Sequence, residues 1–380
     1  MAWDIFCRVI DNYGDIGVSW RLARQLAVEH RLKVRLWVDD LTAFQSIRPQ
    51  IDPFLDTQTL AGVEVRRWSD PLPRVDPGEV VIEALACDLP EAFVQRMAAR
   101  RPRPVWLNLE YLTAESWAAG VHGLPSPHPR LGLTKYFFMP GYDTRTGGLI
   151  READLLATRD AFQNDPGAQG RFWARLGLPA HPPGEWHISL FSYENAALDS
   201  LLTTLAQGKS AVRLLVPRGK VLPAIARWLG LSRLQPGDNL RRGALDLHVL
   251  PMLDQDSYDR LLWACGLNFV RGEDSFLRAQ FAARPLVWQA YRQEEGAHLA
   301  KLEAFLAQYC ADMDTDAAAA TRQLWSAWND ESDVSEAWCN WSRRLEVQHA
   351  HAGHWAAQLA TQTDLATRLL TFCEDVRTKC

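Results

Sequence analysis

The stretch from Arg271 to Tyr291, RGEDSFLRAQFAARPLVWQAY, narrows the possible folds more than any other part of the chain. A short apolar run, Leu267-Asn268-Phe269-Val270, precedes it and reads as a buried strand. Arg271 and Gly272 form a tight turn, the polar trio Glu273-Asp274-Ser275 follows, and a helix-like segment runs through Ala283. Pro285 to Trp288 closes the unit as a second buried strand. Strand, glycine turn, helix and strand in so few residues is the module of an α/β domain. Asp274 or Ser275 is the expected N-cap, because a short side-chain oxygen accepts from the free N–H groups of a first turn. Such a helix end is also a site for phosphate, since its N–H groups and dipole face outward. Arg271 adds a guanidinium that can fork onto phosphate oxygens. Carboxylates would repel a diphosphate, so Glu273 is expected to face sugar or ribose hydroxyls. The same pattern also describes a capped helix with no ligand.

The chain has 380 residues, too many for one ordinary core; at about 150 residues a unit, two or three are expected. A net charge of −5 gives no basic footprint for nucleic acid. No run approaches the roughly eighteen apolar residues of a membrane helix. The N-terminus, MAWDIFCRVID, carries Asp4 and lacks the basic start of a signal peptide. The seven cysteines are scattered and contain no CxxC, which predicts reduced thiols in a cytoplasmic protein. Sixteen tryptophans are many for this length, and most are expected to fill cores.

Residues Trp3 to Ile10 read as a strand, Asp11 to Gly17 as a turn, Val18 to His30 as a helix and Lys33 to Val38 as the next strand. Further strands are expected at Val63 to Trp68, Val80 to Ala84, Val105 to Leu109 and Tyr136 to Met139, with a helix over Pro90 to Arg100. Three prolines and a glycine in LPAHPPGE, Leu178 to Glu185, mark a linker. A second α/β series starts at Trp186, and from Gly296 onward only helices are visible. The expected fold is therefore α/β: two parallel-sheet domains in tandem and a helical C-terminal tail. Open α/β sheets bind ligands at the carboxyl ends of their strands. The turns after Ile10 and after Val270 are both such ends, and two facing sheets would bring them to one cleft.

The first turn holds two carboxylates, Asp11 and Asp15, with Asn12, Tyr13 and Gly14 between them. Tyr13 and Gly14 are candidate donor contacts, because a glycine lets the backbone approach a ligand closely. The turn is neither GxGxxG nor a P-loop, so the dinucleotide fingerprint fails. Asp15 near a helix start can be a simple N-cap, but capping does not account for both aspartates. In the second series Phe191 and Tyr193, two apart after a strand, can hold a flat base, and Gln255 and Tyr258 would bring an amide and a ring to the same rim. Val216-Pro217-Arg218-Gly219-Lys220 is a basic turn, and His349, His351 and His354 form a cluster without partners at metal-ligand spacing. No GxSxG or HExxH motif is present.

Three stretches carry a resemblance to a known family. IDNYGDIGVSWRLARQL, NLEYLTAESW and FVRGEDSFLRAQFAARPLVWQAYRQEEGAHLAKLEAFL resemble the bacterial protein-arginine rhamnosyltransferases of elongation factor P, and the likeness extends over essentially the whole chain. It implies a GT-B fold, two facing Rossmann-like domains with a cleft between them and a helical C-terminal tail. The implied boundaries are 1–180 for the acceptor-side domain and 184–362 for the nucleotide-sugar domain, with a last helix at about 363–380 packing back on the first. The implied reaction is inverting transfer of L-rhamnose from dTDP-β-L-rhamnose to an arginine on a loop of elongation factor P's N-terminal domain, activating that factor for rescue of polyproline-stalled ribosomes. No cofactor, metal, nucleic acid or membrane is implied.

Matched residue by residue, Asp11 and Asp15 resemble the family's essential aspartates, Asp15 as general base and Asp11 as acceptor-orienting partner. Glu273 resembles its essential glutamate. Arg271, Asp274 and Ser275 fall in the diphosphate and sugar region, and Phe191, Tyr193 and Gln255 resemble the thymine and ribose contacts. Tyr258 stands where a phenylalanine is associated with the family, which keeps an aromatic face. The alternatives are a GT-B enzyme with a small-molecule or glycan acceptor and a nucleotide-sugar-binding protein without turnover. A NAD-dependent oxidoreductase is disfavoured by the missing fingerprint.

Overall fold

The computed structural model describes residues 2–10, 13–179, 184–293 and 296–379. The chain divides into two units, Met1–Ala153 with Thr361–Cys380 (unit 1) and Asp154–Ala360 (unit 2). Unit 1 opens with β1 (Ala2–Cys7), α1 (Gly14–Val28), β2 (Lys33–Val38), α2 (Leu41–Ile47), β3 (Thr57–Leu60) and β4 (Val63–Arg67). It continues through β5 (Val80–Ala84), α3 (Glu91–Ala99), β6 (Val105–Leu109), α4 (Ala118–Val121), β7 (Pro125–Pro127) and β8 (Thr134–Phe138). Unit 2 contains α5 (Leu155–Gln163), α6 (Pro166–Arg175), β9 (Trp186–Leu190), α7 (Leu198–Gln207), β10 (Val212–Pro217), α8 (Leu222–Leu229), β11 (Asn239–Arg242) and β12 (Leu245–Leu250). Then come α9 (Gln255–Ala264), β13 (Leu267–Arg271), α10 (Asp274–Phe281), β14 (Leu286–Gln289), α11 (Ala297–Tyr309), α12 (Thr315–Asn329), α13 (Ser335–Ser342) and α14 (Leu345–Ala360). The last helix, α15 (Leu365–Lys379), returns to unit 1.

Unit 1 is built on an eight-stranded sheet in the order β3-β4-β2-β1-β5-β6-β8-β7, parallel except at the edge strands β3 and β7. Unit 2 has a six-stranded sheet, β11-β12-β10-β9-β13-β14, in which β11 is the antiparallel edge. The central strands β5, β6, β10 and β13 are buried along their whole length. This is why they read as continuous apolar runs: helices cover both faces of a parallel sheet. In each sheet the first strand lies between its two successors, β1 between β2 and β5, β9 between β10 and β13. The chain reverses its winding there, so a crevice opens at the carboxyl ends of those strand pairs.

Tryptophan fills both cores. Phe6 stacks on Trp37 at 5.4 Å and meets Trp68 edge-on at 5.3 Å in unit 1. Trp288, Trp325, Trp328 and Trp341 are fully buried in unit 2.

The boundary expected at residues 180 to 184 is corrected by the packing. Helices α5 and α6 belong to unit 2, and the division falls at Ala153. Phe162 lies 5.9 Å from Trp263, Gln163 donates to the carbonyls of Trp263 and Ala282 at 3.0 Å each, and Arg159 donates to that of Phe281 at 2.8 Å. The prolines after Leu178 join two parts of one unit, and residues 180–183 of that linker lie outside the described residues. Unit 1 is closed by α15, whose Phe372 packs on His122, Tyr136 and Phe138.

Candidate active site

In unit 1 the start of α1 follows the carboxyl end of β1. The expected turn over residues 11–17 is shorter in the structure, because helix begins at Gly14 and the Gly17 N–H donates to the Tyr13 carbonyl at 2.9 Å. Glycine is tolerated in a first turn whose N–H groups are unpaired within the helix. Tyr13 is the N-cap residue and gives no side-chain cap. Asp15 is not a cap either. Its carboxylate, 1% exposed, reaches back to accept the Ile10 N–H at 2.8 Å, and its other oxygen accepts the Tyr111 hydroxyl at 3.1 Å. Asp11 lies outside the described residues.

Tyr111 follows β6, and its hydroxyl is also 3.3 Å from the Leu85 carbonyl, just past β5. Leu85 and Ala86 both have positive φ, 58° and 61°, a conformation rare in residues with a Cβ and enriched at ligand sites. Adjacent strand ends thus converge on one carboxylate. The Cys7 thiol at the end of β1 is pushed well above its ordinary range by burial, with the Asp15 charge adding to the shift and a Ser19 hydrogen bond opposing it. A thiol so held stays protonated and is no nucleophile.

In unit 2 the strand ends carry the other candidates. Gly272 has φ 62°, which a residue with a Cβ would adopt at a cost of about 1–2 kcal/mol. That turn, fixed by the Trp288 indole N–H donating to the Gly272 carbonyl at 3.0 Å, starts α10 one residue earlier than a cap at Asp274 requires and two earlier than a cap at Ser275. The N-cap is Glu273, without a side-chain cap bond. Asp274 accepts from the Gln255 amide at 2.9 Å, and the Ser275 hydroxyl donates to the Arg271 carbonyl. The Glu273 carboxylate pairs with Lys301 of α11 at 2.7 Å.

Phe191 and Tyr193, the aromatic pair expected to sandwich or edge-pack a flat base, directly follow β9. In the structure the Arg271 guanidinium lies over both rings, 4.6 Å from Phe191 and 4.4 Å from Tyr193. Arg271 is 5% exposed, and a cation over aromatic faces is stabilised most where water is excluded. Tyr258 packs on Phe191 at 5.5 Å, and burial raises its phenol well above the ordinary range, so it stays neutral. Gln289, at the end of β14, accepts the Tyr193 N–H at 2.8 Å. Beside it lies a cavity of about 840 Å³ lined in part by Tyr193, Lys220, Gln289 and Tyr291, a volume suited to a small-molecule ligand. The basic turn ending at Lys220 therefore reaches this rim.

The turn at Asp15 is in unit 1, and Phe191, Tyr193, Gln255, Tyr258, Arg271, Glu273, Asp274 and Ser275 are in unit 2. Tyr111, Lys301 and Gln289 were not singled out from sequence. All three stand inside the quoted family stretches, which is the one signal the sequence offers for them. Among the described residues no group of three or more His, Cys, Asp or Glu could hold a metal ion, and the histidine cluster is none.

A family model described as elongation factor P rhamnosyltransferase EarP matches residues 3–374. The protein-arginine rhamnosyltransferase of Pseudomonas putida is 52% identical over 371 residues, covering 98% of both chains. That of Neisseria meningitidis is 35% identical over 388 residues, covering 98% of this chain and 96% of its own. A solved structure described as the structural basis for EarP-mediated arginine glycosylation of elongation factor EF-P superposes with a TM-score of 0.70 at 38% identity, covering 98% of this chain and 99% of that one. Acinetobacter baumannii MurG, at 12% identity and a TM-score of 0.50 over 100% of this chain and 99% of its own, shares the fold.

Proposed function

The chain belongs to the elongation factor P rhamnosyltransferase family and is a glycosyltransferase with a GT-B fold; from that premise we propose that it transfers L-rhamnose from dTDP-β-L-rhamnose to an arginine side chain of elongation factor P, inverting the anomeric centre. The observation that carries the donor half is the group at the end of β13. Arg271, held on two aromatic faces, is the last residue of a parallel strand, and Glu273, Asp274 and Ser275 follow it at the start of α10. Nucleotide diphosphates are bound at such turns by helix N–H groups and a guanidinium fork. Arg271 and the α10 terminus would stabilise the departing diphosphate. Glu273 would accept from sugar hydroxyls, and Phe191, Tyr193, Gln255 and Tyr258 would surround the base and ribose.

The acceptor half rests on Asp15, with Asp11, Tyr13 and Gly14 beside it in sequence. Arginine has a pKa above about 12 and is a poor nucleophile while protonated. An aspartate, with an ordinary pKa near 3.9, cannot remove that proton in advance. Proton transfer concerted with attack resolves this: the guanidine nitrogen bonds to the anomeric carbon, the C–O bond to dTDP breaks, and the proton passes to Asp15. Holding the nitrogen in line supplies much of the remaining acceleration. The reaction would proceed in the cytoplasm without metal or other cofactor.

The test is intact-mass analysis of elongation factor P incubated with the protein and dTDP-β-L-rhamnose in chelator. A gain of one deoxyhexose is expected, lost with Asp15→Asn while donor binding persists. Donor binding with no mass gain on the factor would overturn the acceptor, and no donor binding would overturn the whole reading.

A further inference from the structure

Glu273 is not engaged in capping the helix it precedes. One of its oxygens, Oε1, accepts from the Lys301 ammonium at 2.7 Å, and the two side chains are 14% and 18% exposed. The other oxygen, Oε2, makes no hydrogen bond among the described residues. An ammonium is a point charge with no preferred direction of its own, so what sets the direction of this pair is the packing of its helices.

That packing is specific. Phe305 lies one turn beyond Lys301 on α11 and so shares its face. It meets Phe276 of α10 edge-on at 4.8 Å, and Phe276 is itself stacked on Trp288 at 4.0 Å with the planes 12° apart. Phe305 is held from other sides by Trp325 at 5.7 Å and Trp355 at 5.9 Å. The pair Lys301 and Phe305 on one helix therefore opposes Glu273 and Phe276 on the other. The aromatic contact fixes the register in which the ion pair forms, and the ion pair fixes the carboxylate.

We propose that Lys301 is a positioning residue: by holding Oε1 it aims Oε2 of Glu273 at the sugar hydroxyls of the donor. This rests on the sugar-facing role proposed for Glu273. A hydroxyl contact of this kind strengthens as positive charge grows on the sugar ring, so its loss reaches turnover more than ground-state binding.

The experiment compares Lys301→Met, Lys301→Arg, Glu273→Gln and the double variant Glu273→Gln/Lys301→Met. Each is assayed for kcat by intact mass and for binding of dTDP, which lacks the sugar, by calorimetry. Lys301→Met should lower kcat about 10- to 100-fold, the scale of a misplaced reacting group, with dTDP affinity unchanged. Lys301→Arg should recover most of the loss, and the double variant should be no slower than Glu273→Gln alone. Weakened dTDP binding in Lys301→Met would make it a phosphate contact and overturn the positioning role. Wild-type kcat in Lys301→Met beside a slow Glu273→Gln would overturn this inference alone. Wild-type kcat in Glu273→Gln would overturn the role of Glu273 itself.

Discussion

Asp15 is a buried carboxylate whose two oxygens are held by donors from different strand ends, the Ile10 N–H and the Tyr111 hydroxyl. A carboxylate so gripped keeps its direction, which a base acting in concert with attack requires. Tyr111→Phe removes one grip and leaves the ring. A hydrogen bond to a charged group contributes about 1.5–3 kcal/mol, so kcat should fall about tenfold or more while dTDP affinity, measured by calorimetry, stays at the wild-type value. Equal turnover in the variant would mean that the Tyr111 hydroxyl is not needed to orient Asp15. The carboxylate was legible in the sequence because two aspartates flanked a glycine at a strand end. Tyr111 was not, since no local pattern distinguishes a tyrosine 96 residues away that meets Asp15 through the order of β1, β5 and β6. Lys301 escaped for the same reason: its spacing from Glu273 carries no periodicity, and two helices must pack before the pair exists.

At the scale of elements, the buried parallel strands read clearly, and β2, β5 and β6 begin and end where the sequence places them. The edge strands β3 and β11 did not, because their residues are mostly exposed and carry no apolar signature. In helix α14 the stretch HAHAGH reads as a polar cluster, yet His351 is 8% exposed and stands edge-on to Tyr309 at 4.8 Å. The His349 pKa is pushed down to about 4 by burial and then by Arg284, and burial also lowers that of His351. Unfolded histidines titrate near 6.5. Between about pH 6.5 and 4 the unfolded chain therefore binds more protons at these sites, and acidification draws the equilibrium toward it. The melting temperature of the wild type should fall through that window more steeply than that of His349→Gln/His351→Gln, as scanning calorimetry at stepped pH would record. Parallel slopes would show that other groups govern the acid limb.

Taken as a whole chain, the two units differ in how they are assembled. Unit 1 needs both ends of the sequence. In α15 Leu365, Leu369 and Cys373 are buried, Gln25 of α1 donates to Asp364 at 3.1 Å, and Arg368 donates to the Thr146 carbonyl at 2.7 Å. Unit 2 is one continuous segment, and each donor-side candidate except Tyr13 and Gly14 lies within it. A contiguous segment with its own core can fold alone. A fragment of residues 154–360 should melt in one cooperative transition and bind dTDP within about tenfold of the full chain's affinity. A fragment begun at 184, where the proline run suggested a boundary, should do neither. It lacks α5 and α6, whose Phe162, Phe172 and Trp173 are buried. At about 1.5–3 kcal/mol for each buried side chain, losing three of them removes an amount comparable to the 5–15 kcal/mol that holds a typical domain together. The two fragments, compared by calorimetry with and without dTDP, set the boundary by energetics: equal melting and equal binding would restore it to the prolines, and failure of both would tie the donor half to unit 1.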